Sequence, residues 1–171
     1  KRLLEGRQIR EGRLGREYFE EARRIEAKLS GHMGWKDWIE VHVQLSEWDL
    51  EVSASQDQGL RQMHRDQRRA CNVAFGKYVE VHYPKWFKGV DPPPLSVDVV
   101  SEFLVPPLLS GRKVFFVVVD CLRLDQWLAL EPLVGEHFSV ARNYYYSILP
   151  TATPYSRNAI FSGLFPSELA R

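Results

Sequence analysis

The 171-residue chain is 44% hydrophobic and 26% charged, an ordinary globular composition with room for one medium domain or two small ones. Its net charge of +1 implies no general attraction to nucleic acid or a membrane surface, and its longest apolar run, 114–119, is far too short to span a bilayer. Residues 1–30 lack an apolar signal-peptide core, and two cysteines without metal-type spacing, Cys71 and Cys121, point to a reducing compartment, the cytosol.

The chain opens on Lys1 inside a charged stretch and stops eight residues after Gly163, so it reads as a segment cut at both sides. Residues 1–29 predict a helix. Leu3, Leu4, Ile9 and Leu14 are sparse apolar points, followed by a stripe of Tyr18, Phe19, Ala22, Ile25 and Leu29. Glu20 and Glu21 precede Arg23 and Arg24 at spacings that support an exposed helix face. Ser30, Gly31 and Gly34 break it. A second helix runs from Trp35 to about Val52, with Trp35, Trp38, Ile39, Leu45, Trp48 and Val52 mostly on one face and Val41 widening it. Asp57 or Ser55 caps a third, roughly 57–83, striped by Leu60, Met63, Cys71, Phe75, Tyr78, Val79 and His82. Tyr83-Pro84 ends it, because a residue before proline resists helical geometry. These three make a helical bundle over residues 1–88.

Residues 89–112 read as a proline-rich linker and a short helix. Pro92, Pro93 and Pro94 are stiff and cannot be helix interior. Ser96 is placed as the N-cap of a helix 96–105, with Asp98 in its first turn, ending before Pro106-Pro107. From 113 the pattern changes. The Val/Phe run up to Val119 is that of a strand covered on both faces. A helix 124–134 follows, then a second strand region 138–148, and then Thr151 to Ser156 turns into a final helix that ends near Gly163. This is β-α-β-α, the opening of a doubly wound sheet over 113–171, and the predicted class is α plus α/β.

The candidate chemistry gathers at the carboxyl edge of that sheet. Asp120 ends the first strand, where a carboxylate serves either as a hard metal ligand or as a cap of the next helix. Thr153, before Pro154, lies at a helix start. It is either an ordinary N-cap or a hydroxyl whose alkoxide is stabilised by unpaired N–H groups and the helix dipole, with Thr151 its rival. Arg123 and Arg157 are either phosphate clamps or surface ion pairs, and Asp125 reads as a helix cap. The histidines at 32, 42, 64, 82 and 137 show no metal spacing and read as surface or partly packed residues. Arg65, Arg68 and Arg69 read as a solvated face. P-loop, dinucleotide and nucleophile-elbow motifs are absent from the sequence.

The stretch Val117-Val-Val-Asp-Cys-Leu-Arg-Leu-Asp-Gln-Trp127, followed by Ile148-Leu-Pro-Thr-Ala-Thr-Pro-Tyr-Ser-Arg-Asn-Ala-Ile-Phe-Ser-Gly-Leu-Phe-Pro166, resembles the start of a PglZ domain of the alkaline phosphatase superfamily. The whole chain resembles the middle of PorX-type response regulators, which join a receiver, a three-helix bundle and a PglZ-type domain in gliding and type IX secretion signalling. The resemblance implies a two-zinc phosphodiesterase or phosphatase acting on a phosphodiester or nucleotide-type substrate. In it Asp120 is a metal ligand, and Thr153 is the nucleophile and a metal contact. Thr153 and Gly163 keep the family's spacing, while Thr151 remains the alternative because the proline stands one place earlier than in relatives. Arg123 and Arg157 bind substrate. The partners implied are a histidine kinase, the receiver and a second copy on phosphorylation. The remaining metal ligands and the phospho-accepting aspartate are not in this chain, so the segment alone is expected to be inactive and to bind zinc weakly or not at all. The competing expectation is a non-catalytic module that relays receiver phosphorylation to dimerisation or to a partner.

Overall fold

A computed structural model describes residues 2–169, with side chains from Glu11 onward. The expected apolar points Leu3, Leu4 and Ile9 lie outside those side chains. The helices are α1 (Arg2–Leu29), α2 (Trp35–Ala54), α3 (Gln58–Trp86), α4 (Val105–Leu109), α5 (Leu124–Gly135), α6 (Thr153–Ser162) and α7 (Pro166–Leu169). The chain divides into two compact units. One takes the residues up to His82 with Leu122–Val140; the other takes Tyr83–Cys121 and the residues from Ala141 on.

In the first unit, the order of the buried residues fixes the topology. Ile25 packs with Val41, Leu45 and Cys71, while Tyr18 packs with Val52 and Leu60. Going down α1 therefore means going up α2 and down α3, so neighbouring helices run antiparallel, as short connections dictate. Phe19, expected in the α1 stripe, is 54% exposed, because one residue's rotation from the buried Tyr18 takes it off the core face. The breaks are built by side chains. The Asp37 carboxylate accepts the Gly34 N–H at 2.7 Å, and Asp57 caps α3 by accepting the Leu60 N–H at 3.1 Å. Ser55 instead donates to the Glu11 carboxylate at 2.5 Å. The Glu21–Arg24 pair forms on the exposed face of α1 at 3.1 Å. Helix α5 packs against α2.

The second unit departs from the sequence-based expectations in three places. Helix α3 does not stop at Tyr83 but continues through Pro84 to Trp86. A proline near a helix end removes only one hydrogen bond. The buried Trp86 ring, 5.6 Å from Tyr83 and 5.2 Å from Tyr146, anchors the last turn. The helix expected over 96–105 is instead a 3₁₀ turn (Ser96–Asp98) and a π turn (Val100–Leu104), running into α4. Pro106 and Pro107 open α4, where a helix needs no N–H. Ser96 is not the N-cap. The Asp98 carboxylate accepts the Leu95 N–H at 2.8 Å, and Ser96 turns inward to accept the Ile148 N–H at 3.1 Å.

The third departure is the sheet. Among the described residues neither 113–119 nor 138–148 forms a ladder; a single parallel bridge joins Leu95 and Tyr146, with the Tyr146 N–H on the Pro94 carbonyl at 2.8 Å. A strand exists only through a neighbour that takes its backbone hydrogen bonds. Among the described residues no such strand lies beside the Val/Phe run, and Phe115 is 94% and Val117 76% exposed. The second unit's buried apolar residues include Trp86, Leu95, Val99, Ile148, Ala159 and Ile160.

Gly163 ends α6 in the left-handed conformation, φ 67°, with its N–H on the Ala159 carbonyl at 2.9 Å. A Cβ there would stand 3.5 Å from the Val97 carbonyl oxygen, ordinary contact, so the cost of a side chain is backbone strain alone. Gly163→Ala is expected to lower stability by about 1 kcal/mol, read as a reduced denaturation midpoint in urea.

Candidate functional site

Helix α6 is set in place by three serine hydroxyls from three segments of the second unit. Ser156 on α6 lies 2.6 Å from Ser147 and 3.3 Å from Ser96, and Ser96 also accepts the Ile148 N–H. Ser96 and Ile148 are fully buried, so this small polar knot is satisfied inside an otherwise apolar setting. The chain just before Thr151 is held as well, by the Leu149 N–H donating to the Tyr83 hydroxyl at 2.8 Å.

Thr153 is the first residue of α6, and the residue in the capping position is Ala152, which has no cap to offer. Among the described residues the half-buried Thr153 hydroxyl has no hydrogen-bond partner, so it does not work as an N-cap. The helix end offers fewer free amides than expected. Pro154 has none, and the Tyr155 and Ser156 N–H groups both donate to the Ala152 carbonyl, at 2.9 and 3.0 Å. An anion arriving there would meet the helix dipole and side-chain donors rather than a cradle of main-chain amides.

The donor in place is Arg157. Its Nη1 lies 3.6 Å from Asp120 Oδ2, with both side chains about half exposed. Thr153 and Arg157 are four residues apart on one helix and share a face. The ion pair thus links Asp120 to α6 through Arg157, one turn after Thr153. Asp120 does not cap α5: its Oδ1 accepts the N–H of Cys121, a residue with φ 60°, at 3.0 Å. At the start of α5 the Arg123 N–H is accepted by Gln126 at 3.0 Å. Thr151 is exposed and lies outside the helix.

Arg123 is differently engaged. It belongs to the first unit and clamps Asp125 through two donors, at 2.9 and 2.7 Å. The Arg123 hydrogen bonds hold the Asp125 carboxyl below the usual range, and the same contact raises the Arg123 guanidinium. This is the surface ion pair of the two readings for Arg123, with Asp125 in the first turn of α5 and not at its cap. Zinc held by protein takes three or four ligands. Among the described residues no three His, Cys, Asp or Glu side chains converge, and Asp120 with Thr153 falls short of that number.

A second polar constellation lies in the first unit, and it escaped the sequence reading. His64, read as a surface or partly packed residue, is 4% exposed. Its Nδ1 is 3.0 Å from the Tyr18 hydroxyl and its Nε2 2.6 Å from Asp49 Oδ1, while Asp49 Oδ2 accepts Arg68 at 2.7 Å. Tyr18 donates to Gln67 Oε1 at 2.5 Å, and Gln67 in turn donates to the Ala22 carbonyl at 3.0 Å. The available signal was position: His64 stands one turn after Leu60, on the apolar stripe of α3.

Residues 8–87 match the family model of the PorX response regulator linker domain, and residues 100–169 match that of the BREX system PglZ alkaline phosphatase-like domain. No curated protein matches the chain.

Proposed function

We infer that this chain, a PorX-type response regulator linker followed by a PglZ alkaline phosphatase-like domain, serves a regulated phosphoester hydrolase. The observation that carries the reading is the Asp120–Arg157 pair on the face of α6 that Thr153 begins. Thr153 is the nucleophile toward phosphorus: its hydroxyl has no structural duty to give up. Arg157 turns its planar donors from Asp120 to the non-bridging oxygens of the substrate, which frees the carboxylate. A phosphodiester, of nucleotide or oligonucleotide type, is the substrate class. Zinc dependence belongs to the same proposal, with Asp120 as one ligand and the others supplied from beyond the described residues. So do the apolar run 113–119 as a strand of a doubly wound sheet, a cytosolic location, and a place in type IX secretion and gliding signalling.

The second reading is a relay without turnover, in which the bundle couples receiver phosphorylation by a histidine kinase to dimerisation. The observation favouring it is the match of residues 8–87 to a response regulator linker. The test is hydrolysis of a chromogenic phosphodiester by the full-length protein with added zinc. Turnover above the metal blank supports the hydrolase; turnover equal to the blank overturns it and leaves the relay.

A further inference from the structure

Within the second unit, a cavity of about 410 Å³ lies among the rings of Trp86, Phe87 and Phe165, the proline run 92–94, and the carboxylates of Asp98 and Glu102. None of these residues belongs to the Thr153 site. The Phe87 and Phe165 rings stand 4.9 Å apart, and Phe87 is half exposed, so aromatic faces are open to a ligand. The two carboxylates are one helical turn apart, on the 3₁₀ and π turns before α4. Asp98 spends one oxygen on the Leu95 N–H, and among the described residues neither carboxylate forms an ion pair. A π turn inserted into an otherwise helical path is itself a common mark of a working surface.

We propose that this cavity receives an arginine side chain of a partner polypeptide. The chemistry selects it in three steps. An anion is repelled by two carboxylates that have no cation beside them among the described residues. A purely apolar group would cover those carboxylates without supplying partners, at a desolvation cost. A guanidinium on an apolar stem answers both parts: the stem lies along the prolines, the planar cation stacks on the rings, and its donors reach the carboxylates. The protein's net charge of +1 gives no general pull on cations, so any affinity must come from this local arrangement.

The test is titration of the ¹⁵N-labelled chain with Nα-acetyl-arginine amide, against the citrulline analogue, which has the same shape and no charge. The expected result is saturable millimolar binding, with shifts confined to residues 86–102 and the neighbourhood of Phe165. Citrulline should bind at least tenfold more weakly. Glu102→Gln should weaken arginine binding about fivefold, the factor one solvated charge contact carries. Phe87→Leu should weaken it similarly by removing the stacking face. Glu102 is exposed and makes no ion pair among the described residues, so an unchanged spectrum of the unliganded Glu102→Gln protein shows that the fold is intact. Equal binding of citrulline, shifts scattered over the surface, or no saturation overturns the proposal.

Discussion

Thr153→Val in the full-length protein is expected to abolish turnover of a chromogenic phosphodiester, with a loss of at least about a thousandfold in kcat, while leaving the protein as stable as the parent. The two halves of that expectation have separate grounds. Valine keeps the branched shape of threonine and loses only the oxygen. That oxygen has no hydrogen-bond partner among the described residues, and Ala152 occupies the capping position. A surface change that breaks no contact stays within about 0.5 kcal/mol, so the melting transition should be unmoved. Were Thr153 merely a cap, the outcome would reverse, with about 1 kcal/mol of stability lost and turnover kept. Thr151→Val is the companion variant. Thr151 is exposed and lies before the helix, so its loss should leave kcat within severalfold. Turnover by Thr153→Val within tenfold of the parent, or a collapse in Thr151→Val alone, would sink the assignment of Thr153.

The bundle was legible in the sequence because each helix carries its own evidence. Ile25, Val41, Leu45, Val52, Leu60 and Cys71 recur at helical spacing, and all are buried. The break at Gly34 and the cap at Asp57 are local chemistry, and local chemistry can be read locally. The second unit was less legible for the opposite reason. Six consecutive Val and Phe residues report an appetite for burial, not its satisfaction. A strand needs a partner, and Phe115 at 94% exposure has none among the described residues. The site lies between these cases. Asp120 and Thr153 were visible as residue types at suggestive places, and motif likeness linked them. That Arg157 rather than Arg123 would meet Asp120 depends on which element each arginine is built on. The serine knot of Ser96, Ser147 and Ser156 left no trace, because isolated serines are the commonest tokens of loops.

His64 is where sequence reading erred most usefully, and it carries the largest expected effect on stability. Tyr18 has one hydroxyl proton and gives it to Gln67, whose amide is oriented by its own bond to the Ala22 carbonyl. The same hydroxyl oxygen lies 3.0 Å from His64 Nδ1, and Asp49 Oδ1 lies 2.6 Å from Nε2. The imidazole is thus tied at both ring nitrogens, to the Tyr18 hydroxyl on one side and to the Asp49 carboxylate on the other. The arrangement joins α1, α2 and α3 at a buried point. His64→Ala strands the Tyr18 oxygen and opens a cavity, and the expected loss is about 3 kcal/mol, read as a lowered urea midpoint with unchanged slope. The cost is below that of a fully buried pair because the Asp49 side chain remains 25% exposed and keeps Arg68. Tyr18 adds a pH signature of definite sign. Burial, helped by Cys71 and Asp49, pushes its hydroxyl well above the usual 10.0. The folded state therefore holds the proton more tightly than the unfolded chain does. That stability is complete below pH 10 and is lost as the pH rises beyond it. Tyr18→Phe should be less stable at neutral pH by about 1 kcal/mol, yet should lose less stability between pH 9 and 11 than the parent does. Parallel stability curves for the two proteins across that range would show that Tyr18 is not held in the interior as described.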